Sequence, residues 1–274
     1  MAVPPAGRPV AADAGVAALR WSVFDGHPVD ALVTGRDGGV STGPYRSLNL
    51  GLHVGDVPER VVENRRRAAA ALGLALDDMV FCHQTHGREV AVVGDADRGR
   101  GAASATDAVP CDAVVTATPG VGLAVMVADC VPLVLYHPGA HVVAAVHAGW
   151  RGTVARIAQA AIEAMARLGA DPGGIVAGIG PAVAAERYQV GDDVARAARA
   201  CFGGDAGGLL RPDGTGRWTF DVPGANRRIL AEAGVPPASI EGSPLATGPG
   251  TPFFSDRAAR PCGRFAAMAR LRHR

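Results

Sequence analysis

Residues 111–152 read CDAVVTATPGVGLAVMVADCVPLVLYHPGAHVVAAVHAGWRG and include the most apolar window of the chain. Apolar runs alternate here with short turn sequences, PG at residues 119–120 and HPGA at residues 137–140. Apolar runs of about 4–8 residues between turn signals are typical of buried β-strands. The stretch therefore predicts at least three buried strands that are joined by turns.

The sequence on both sides of this stretch predicts a mixture of helices and further strands. Helices are expected at residues 57–74, 153–168 and 192–201, and residues 219–235 are expected to contain a strand end followed by a fourth helix. Further strands are expected at residues 27–36, at both ends of residues 79–94, at residues 173–183 and near the C-terminus. This irregular interleaving favours an α+β fold with mixed sheets over a doubly wound parallel sheet. We expect a loose extension at residues 1–18 and one domain at residues 19–274.

The composition excludes several classes of protein. The chain has 274 residues, of which 48% are hydrophobic and 19% charged, so it can bury a large core and is not a disordered chain. The formal net charge of +1 provides no polycationic surface for a nucleic acid. All 27 basic residues are arginines, which excludes Schiff-base chemistry on lysine and a Walker-type phosphate loop.

The sequence also predicts a soluble protein. Its most apolar window, residues 120–136, contains Asp129 and Pro132 and falls short of the roughly 18 uninterrupted apolar residues of a membrane span. The first 21 residues lack the basic and apolar pattern of a signal peptide. The five cysteines form no CxxC pair and no disulfide pattern. We therefore expect a cytoplasmic location with reduced thiols, and neither a nucleic acid nor a membrane as partner.

Three short segments place a metal-binding side chain beside a turn: His86 in HQTHG, Cys130 in VADCVP and His147 in VHAGWRG. Catalytic zinc commonly takes three such protein ligands and leaves one position open. Each residue also has a structural alternative, because a free cysteine is often simply buried and a strand histidine can be a hydrogen-bonded core residue. The separations of 44 and 17 residues match no short zinc motif, so the residues alone leave both interpretations open.

Polar side chains in loops are candidate substrate contacts. Arg36 precedes two glycines and Arg151 follows Gly149-Trp150, and an arginine guanidinium suits a phosphate or carboxylate. For each arginine the alternative is a surface salt bridge. Asn49 in SLNLG either hydrogen-bonds a substrate or caps a turn.

Together these segments resemble the laccase-domain family, whose members were first called multicopper polyphenol oxidoreductases. The matching segments run in order from about Val33 to the C-terminus: GRDGGVSTGPYRSLNLGLHVGD, HQTHG, CDAVVTATPGVGLAVMVADCVPLVLY, AAVHAGWRG, GIGPAV, YQVGDDV and FFSDR. The combination of HG, ADCVP and VHAGWRG in that order is far more specific than any one of the three.

The resemblance implies a single α+β domain with two packed mixed sheets flanked by helices, in α/β/β/α layers. It implies a purine nucleoside phosphorylase that releases the base and ribose 1-phosphate from adenosine, inosine, guanosine or methylthioadenosine, and that also deaminates adenosine. It implies a metal site, zinc rather than copper, at His86, Cys130 and His147, and it maps further family positions onto Arg36 and Asn49. The oligomeric state, monomer or homodimer, stays open.

The chain departs from the family pattern at three positions. Ala182 stands where the family often has a cysteine after GIGP, Ala246 replaces the cysteine of a Cys-Thr pair, and Asp256 replaces the tyrosine of FFSYRR. None of these changes affects the three expected ligands. We therefore expect them to alter the pocket wall and the substrate preference.

Each implied reaction needs a group besides the metal. Deamination needs a carboxylate that carries protons, and Asp129 is the nearest candidate in the sequence. Strand alternation turns Asp129 away from the face that carries Cys130, unless the Asp-Cys-Val-Pro stretch bends. Phosphorolysis needs a cation for the phosphate dianion, and Arg36 is the candidate because its guanidinium can form bidentate charge-assisted bonds.

Three other classes of protein compete with this interpretation. A copper redox enzyme needs many histidines, whereas the chain has eight and no HxH pair. A cysteine hydrolase or amidase in peptidoglycan quality control, with Cys130 as nucleophile and His147 as base, is the main alternative. The third is a non-catalytic binding protein in which the site is structural.

Overall fold

The computed structural model describes residues 9–11, 15–204 and 206–274. Within these residues the chain forms fifteen β-strands: β1 Pro9–Ala11, β2 Ala17–Leu19, β3 Val29–Thr34, β4 Met79–Phe81, β5 Val90–Val92, β6 Ala113–Thr116, β7 Gly122–Val127, β8 Val131–His137, β9 Val142–Ala148, β10 Val176–Ile179, β11 Gln189–Gly191, β12 Leu210–Pro212, β13 Arg217–Phe220, β14 Ile240–Gly242 and β15 Phe265–Leu271. The same residues form five α-helices: α1 Pro58–Ala71, α2 Trp150–Val154, α3 Ile157–Arg167, α4 Asp192–Phe202 and α5 Val222–Glu232.

Two six-stranded mixed sheets build the domain. The first has the order β1-β2-β3-β15-β7-β4, and the second has the order β14-β10-β8-β9-β6-β5. Most neighbours are antiparallel, whereas β4 and β7, β5 and β6, and β10 and β14 run parallel. A small third sheet of β11, β13 and β12 lies beside them. The prediction of one α+β domain with mixed sheets is confirmed.

The two large sheets pack face to face and are covered by helices on their outer faces. One apolar cluster fills the space between them, a second lies under α3, α4 and α5, and a third lies under α1. Successive residues of β7 alternate between two of these clusters, with Val125 between the sheets and Met126 facing α1. Because side chains of a strand alternate between its faces, burial of both faces produces the nearly continuous apolar runs of residues 111–152.

The predicted helix at residues 153–168 is observed as two helices. Arg156 separates α2 from α3 and adopts the left-handed conformation, with φ of 62°. The Arg156 amide still closes the last turn of α2 by donating to the carbonyl of Thr153, at 2.9 Å. The chain then turns, and α3 packs against β9 and β6.

The two strands predicted at the ends of residues 79–94 are observed as β4 and β5, but they do not pair with each other. β4 lies at the edge of the first sheet and β5 at the edge of the second, so the loop between them crosses from one sheet to the other. Both strands are short and pair with parallel neighbours, β7 and β6. The crossing loop carries His86 and brings it to the end of the sheets where β7, β8 and β9 turn.

Part of the predicted N-terminal extension belongs to the first sheet. β1 pairs with β2 in antiparallel fashion, and β2 pairs with β3. Residues 1–8 and 12–14 of the predicted extension lie outside the described residues. Among the described helices, none combines the length and the apolar character that crossing a membrane requires.

Candidate metal centre and active-site cavity

Three side chains from separate segments converge at one end of the sheets. His86 lies in the loop between β4 and β5, Cys130 in the bend between β7 and β8, and His147 near the end of β9. One ligand atom of each residue lies within 4.8 Å of the other two, and the two imidazole rings meet edge to face with centroids 4.7 Å apart. Within the described part of the chain, this is the one group of three or more His, Cys, Asp or Glu residues close enough to hold a metal ion.

The register of the β8–β9 hairpin places two of these residues together. Val131 pairs with Ala148 and Pro132 pairs with His147, so Cys130 comes beside Gly149. A Cβ atom at Gly149 would lie 3.0 Å from the Cys130 sulfur and 3.0 Å from Cδ2 of His86. Only glycine therefore leaves the two donor side chains in their observed positions.

Asp112, which precedes β6, holds the third residue in place. Its buried carboxylate accepts hydrogen bonds from the backbone amides of His86 at 2.9 Å, Gly87 at 2.7 Å and Thr85 at 3.2 Å, and from the Thr85 hydroxyl at 3.1 Å. His86 has a φ of 62°, which a residue with a Cβ atom rarely adopts. The bonds to Asp112 support this strained conformation.

Asp112 also orients His147. The Nδ1 atom of His147 lies 2.8 Å from Oδ1 of Asp112. Burial of Asp112 opposes ionisation, but hydrogen bonds from His147 and from the Gly87 amide hold the carboxyl pKa well below its usual range. An ionised carboxylate can only accept, so Nδ1 donates a hydrogen bond to Asp112, and Nε2 is left for Cys130 or, once deprotonated, for a metal ion.

The Cys130 thiol is poised to lose its proton. Burial alone would raise its pKa, but the charge of His147 and hydrogen bonds with His147 and His86 lower it to about 6. Burial lowers the pKa of the His147 imidazole. The interactions of His147 with Cys130 and Asp112 outweigh this effect and raise the pKa to about 9. A thiolate beside two imidazoles is a donor set that suits zinc.

The three side chains line one wall of a cavity of about 630 Å³. Aromatic rings of Phe81, Trp150 and Tyr188 line other parts of it. Its charged lining, counted over the described residues, consists of four arginines and two aspartates: Arg65, Arg257, Arg260, Arg264, Asp129 and Asp256. The cavity thus combines aromatic surface, a positive wall and a potential metal centre.

Comparison with known proteins identifies the family. The model of the family described as multi-copper polyphenol oxidoreductase laccase matches residues 30–272. The chain belongs to this family. A Deinococcus radiodurans member named purine nucleoside phosphorylase is 47% identical over 202 residues, which cover 74% of each chain. A prokaryotic protein named adenosine deaminase RL5, of unknown source organism, is 39% identical over 231 residues, which cover 84% of this chain and 88% of the relative.

The laccase-family fold is equally clear from solved structures. The crystal structure of the Bacillus licheniformis hypothetical protein YfiH superposes with a TM-score of 0.91 at 34% sequence identity. The match covers 97% of this chain and 99% of that protein. The predicted family membership and the predicted fold are therefore both confirmed.

Asp129 of this laccase-family chain faces the same cavity as Cys130. It has a φ of 87°, so the strand alternation that would separate the two side chains does not apply. Its Oδ1 atom accepts a hydrogen bond from the Thr247 hydroxyl, and its Oδ2 atom accepts one from the Arg257 amide at 2.6 Å. The bend in the Asp-Cys-Val-Pro stretch, which is needed to bring Asp129 and Cys130 to the same side, is therefore present.

The other predicted substrate contacts lie outside the cavity lining. The Nε and Nη2 atoms of Arg36 donate to the carbonyl of Arg46, at 3.2 and 3.0 Å, and its guanidinium carbon lies 4.9 Å from the centre of the Phe254 ring. Arg151 is exposed and lies 4.6 Å over the ring of Trp150, which itself lines the cavity. The substrate roles of both arginines stay predictions.

Asn49 is fully buried and supports a residue of the cavity wall. Its Oδ1 atom accepts hydrogen bonds from the backbone amides of Gly51 and Arg264, both at 2.9 Å, and its Nδ2 atom donates to Asp56 at 2.9 Å. Asp256, one of the departures from the family pattern, lines the cavity and forms ion pairs with Arg260 at 2.5 Å and Arg264 at 3.3 Å.

Sequence reasoning missed two residues that shape the site. Asp112 organises both histidines, and its only sequence signal is a charged residue directly before a buried strand. Arg65, on α1, lines the cavity although its side chain is almost completely buried. Its signal is a helical spacing of four residues from the buried Val61.

Proposed function

We propose that the chain is a zinc-dependent purine nucleoside phosphorylase that also deaminates adenosine. The observation that carries this proposal is the convergence of His86, Cys130 and His147 on one wall of a cavity with aromatic and cationic surfaces. Relatives named purine nucleoside phosphorylase and adenosine deaminase support it. Adenosine, inosine, guanosine and methylthioadenosine are the proposed substrates, with phosphate as co-substrate.

The residues present fit a zinc ion. Two imidazoles and a thiolate are borderline to soft donors, and their ligand atoms already lie within 4.8 Å of one another. Asp112 fixes the tautomer of His147, as carboxylates commonly do for metal-bound histidines. When bound, zinc would supply Lewis-acid stabilisation of charge at the reacting purine.

The cavity residues account for binding of both substrates. The rings of Trp150 and Tyr188 offer stacking surface to a purine, and the arginines of the lining attract phosphate. In phosphorolysis a phosphate oxygen forms a bond to the anomeric carbon of ribose while the glycosidic bond breaks and the base leaves with the electron pair. In deamination we assign to the carboxylate of Asp129 the transfer of a proton from the attacking water to the departing amino group.

An adenosine assay with and without phosphate tests the proposal. We expect adenine to form only with phosphate, inosine to form without it, and the isolated protein to contain about one zinc per chain. Cys130→Ala should lose zinc and both activities, because two remaining ligands do not complete the site. Cys201→Ala, which removes a partly exposed thiol outside the cavity lining, is the matched control. Full activity of Cys130→Ala would contradict the proposal.

A second candidate, a cysteine hydrolase or amidase, is favoured by one observation. Cys130, His147 and Asp112 form a chain of interactions in which the thiol has a pKa of about 6 and the imidazole is oriented by a carboxylate. Such an enzyme would retain activity on peptide amides after treatment with a chelator and would lose it on alkylation of the thiol. The phosphorylase would instead lose activity with the chelator and regain it with added zinc.

A further inference from the structure

Arg65 is a buried cation without a carboxylate partner among the described residues. Its side chain is 2% exposed, and its Nε and Nη1 atoms donate to the backbone carbonyls of Leu50 at 2.7 Å, Gly101 at 2.5 Å and Ala102 at 3.1 Å. Buried charges in proteins are ordinarily paired with an opposite charge, because desolvation of a lone ion is costly. The carbonyls fix the guanidinium but do not neutralise it.

The remaining nitrogen of Arg65 has donor capacity to spare. Nη2 carries two N–H groups, and the structure gives it one partner, the thioether sulfur of Met126 at 3.3 Å, which is a weak acceptor. The guanidinium carbon lies 4.0 Å over the ring of Phe81, which holds the plane of the group. Arg65, Phe81 and Met126 all line the cavity. A rigid and incompletely satisfied cationic donor therefore borders the space where substrates would bind.

A second arginine of the cavity wall is anchored to the same loop residue as Arg65, because the Leu50 carbonyl accepts from Arg65 Nε at 2.7 Å and the Leu50 amide donates to the Arg264 carbonyl at 2.9 Å. The backbone of Arg264 is fixed by a hydrogen bond, because its amide donates to the side chain of the buried Asn49 at 2.9 Å. His53 also lines the cavity, and its pKa is lowered first by burial and then by the charges of Arg264 and Arg65, so both arginines act on the same point of the lining. Among the described residues, the cavity lining contains four arginines and two aspartates, so positive charge exceeds negative charge there.

We propose that Arg65 and Arg264 form an anion site that holds the phosphate co-substrate. A phosphate dianion would give Arg65 the counter-charge that the described residues do not provide, and its oxygens match the planar donors of a guanidinium. The site lies in the same cavity as His86, Cys130 and His147, as a reaction between phosphate and a bound nucleoside requires. This assignment rests on the proposed phosphorylase function, and it competes with the role predicted for Arg36.

Two variants and one control test the site. Arg65→Lys keeps the charge but loses the planar donors, and Arg264→Gln removes a charge from a side chain that is 21% exposed. Arg66→Gln is the matched control, because Arg66 is the next residue on α1, is 58% exposed and pairs with Glu63. Each full-length protein is titrated with inorganic phosphate without nucleoside, by calorimetry and by thermal unfolding, with sulfate at equal ionic strength as the comparison anion.

We expect both variants to bind phosphate about ten- to a hundredfold more weakly, to show the same increase in the apparent KM for phosphate, and to lose phosphorolysis at low phosphate far more than inosine formation from adenosine. The control should match wild type. If Arg65→Lys does not fold, Arg264→Gln decides alone.

The proposed phosphate site would be wrong, and the proposed function would stand, if Arg264→Gln phosphorolyses adenosine and keeps the wild-type phosphate affinity and phosphate KM. Weakened phosphate binding in both variants, in a protein that cleaves no nucleoside, would support the site and contradict the proposed function. Equal binding of sulfate and phosphate that neither variant changes would also overturn the site.

Discussion

Replacement of Asp112 by asparagine tests the organisation of the candidate metal centre most directly. The carboxylate accepts from the amides of Thr85, His86 and Gly87, from the Thr85 hydroxyl and from Nδ1 of His147. An asparagine amide has the same shape but turns one of the two acceptor atoms into a donor. Whichever way the amide is oriented, it meets backbone N–H groups that previously donated to it.

The less costly orientation places the amide nitrogen at the former Oδ1 position. It then opposes the His86 amide, and a buried donor left without a partner costs about 1–3 kcal/mol. His147 can accept from this nitrogen only by moving its own proton from Nδ1 to Nε2, and a protonated Nε2 cannot bind a metal. The lost charge-assisted bond adds about 1.5–3 kcal/mol. We therefore expect a loss of stability on the order of 3 kcal/mol and a fall in zinc affinity of about 10–100-fold.

Three measurements on Asp112→Asn check this reasoning. Urea unfolding of the metal-free protein gives the stability change, competition with a chromophoric chelator gives the zinc affinity, and nitrogen NMR of the imidazole gives the tautomer of His147. Asp171→Asn is the matched control, because Asp171 contacts His137 at 3.4 Å but is 76% exposed. Wild-type zinc affinity in Asp112→Asn, with His147 still protonated at Nδ1, would refute the argument.

Three further outcomes are expected. Gly149→Ala should reduce zinc affinity roughly tenfold without unfolding the protein, because the added Cβ would lie 3.0 Å from atoms of both Cys130 and His86. A strain of about 1.4 kcal/mol at the site corresponds to this tenfold change. Competition with a chelator measures the affinity, and an unchanged value would show that the donor side chains move freely. In metal-free protein the alkylation rate of Cys130 should rise through a midpoint near pH 6 and level off above it, since the thiolate is the reactive form; a midpoint near the ordinary value of 9.0 would contradict the charge assignment. Arg36→Ala should lower the unfolding free energy by about 1 kcal/mol and reduce phosphorolysis and deamination together, because its guanidinium bonds a carbonyl of its own loop; a loss confined to phosphorolysis would favour the phosphate role predicted from the sequence.

The central strands could be predicted because their burial leaves a direct trace in the sequence. β7, β8 and β9 are covered on both faces, so nearly every residue in them is apolar. The sequence of a short strand does not show to which sheet the strand belongs. β4 and β5 are three residues each, and nothing in their composition shows that the loop between them crosses from one sheet to the other.

The convergence of the three candidate metal donors could be predicted because few side chains bind zinc and because the motifs around these residues are specific. Which arginines line the cavity could not be predicted from chemistry, since every arginine carries the same guanidinium group. Arg65, Arg66 and Arg67 follow one another on α1, and only helical geometry separates the buried first residue from its two more exposed neighbours. The buried Val61 lies four residues before Arg65, so helical spacing places Arg65 on the buried face of α1. Attention to arginines in loops alone misses this residue.

Asp112 links the two halves of the site, and this gives it more influence than a residue that contacts substrate alone. His147 lies on β9 and Cys130 directly precedes β8, and seven residue pairs fix the register of this hairpin, so the relative positions of the two residues are well determined. His86 comes from a loop between sheets and has a strained backbone that ordinary strand pairing does not support. One carboxylate binds both the loop and the hairpin histidine, so a change at Asp112 alters the position of one donor and the tautomer of another at the same time. The effect on metal binding should therefore exceed what either interaction would produce alone.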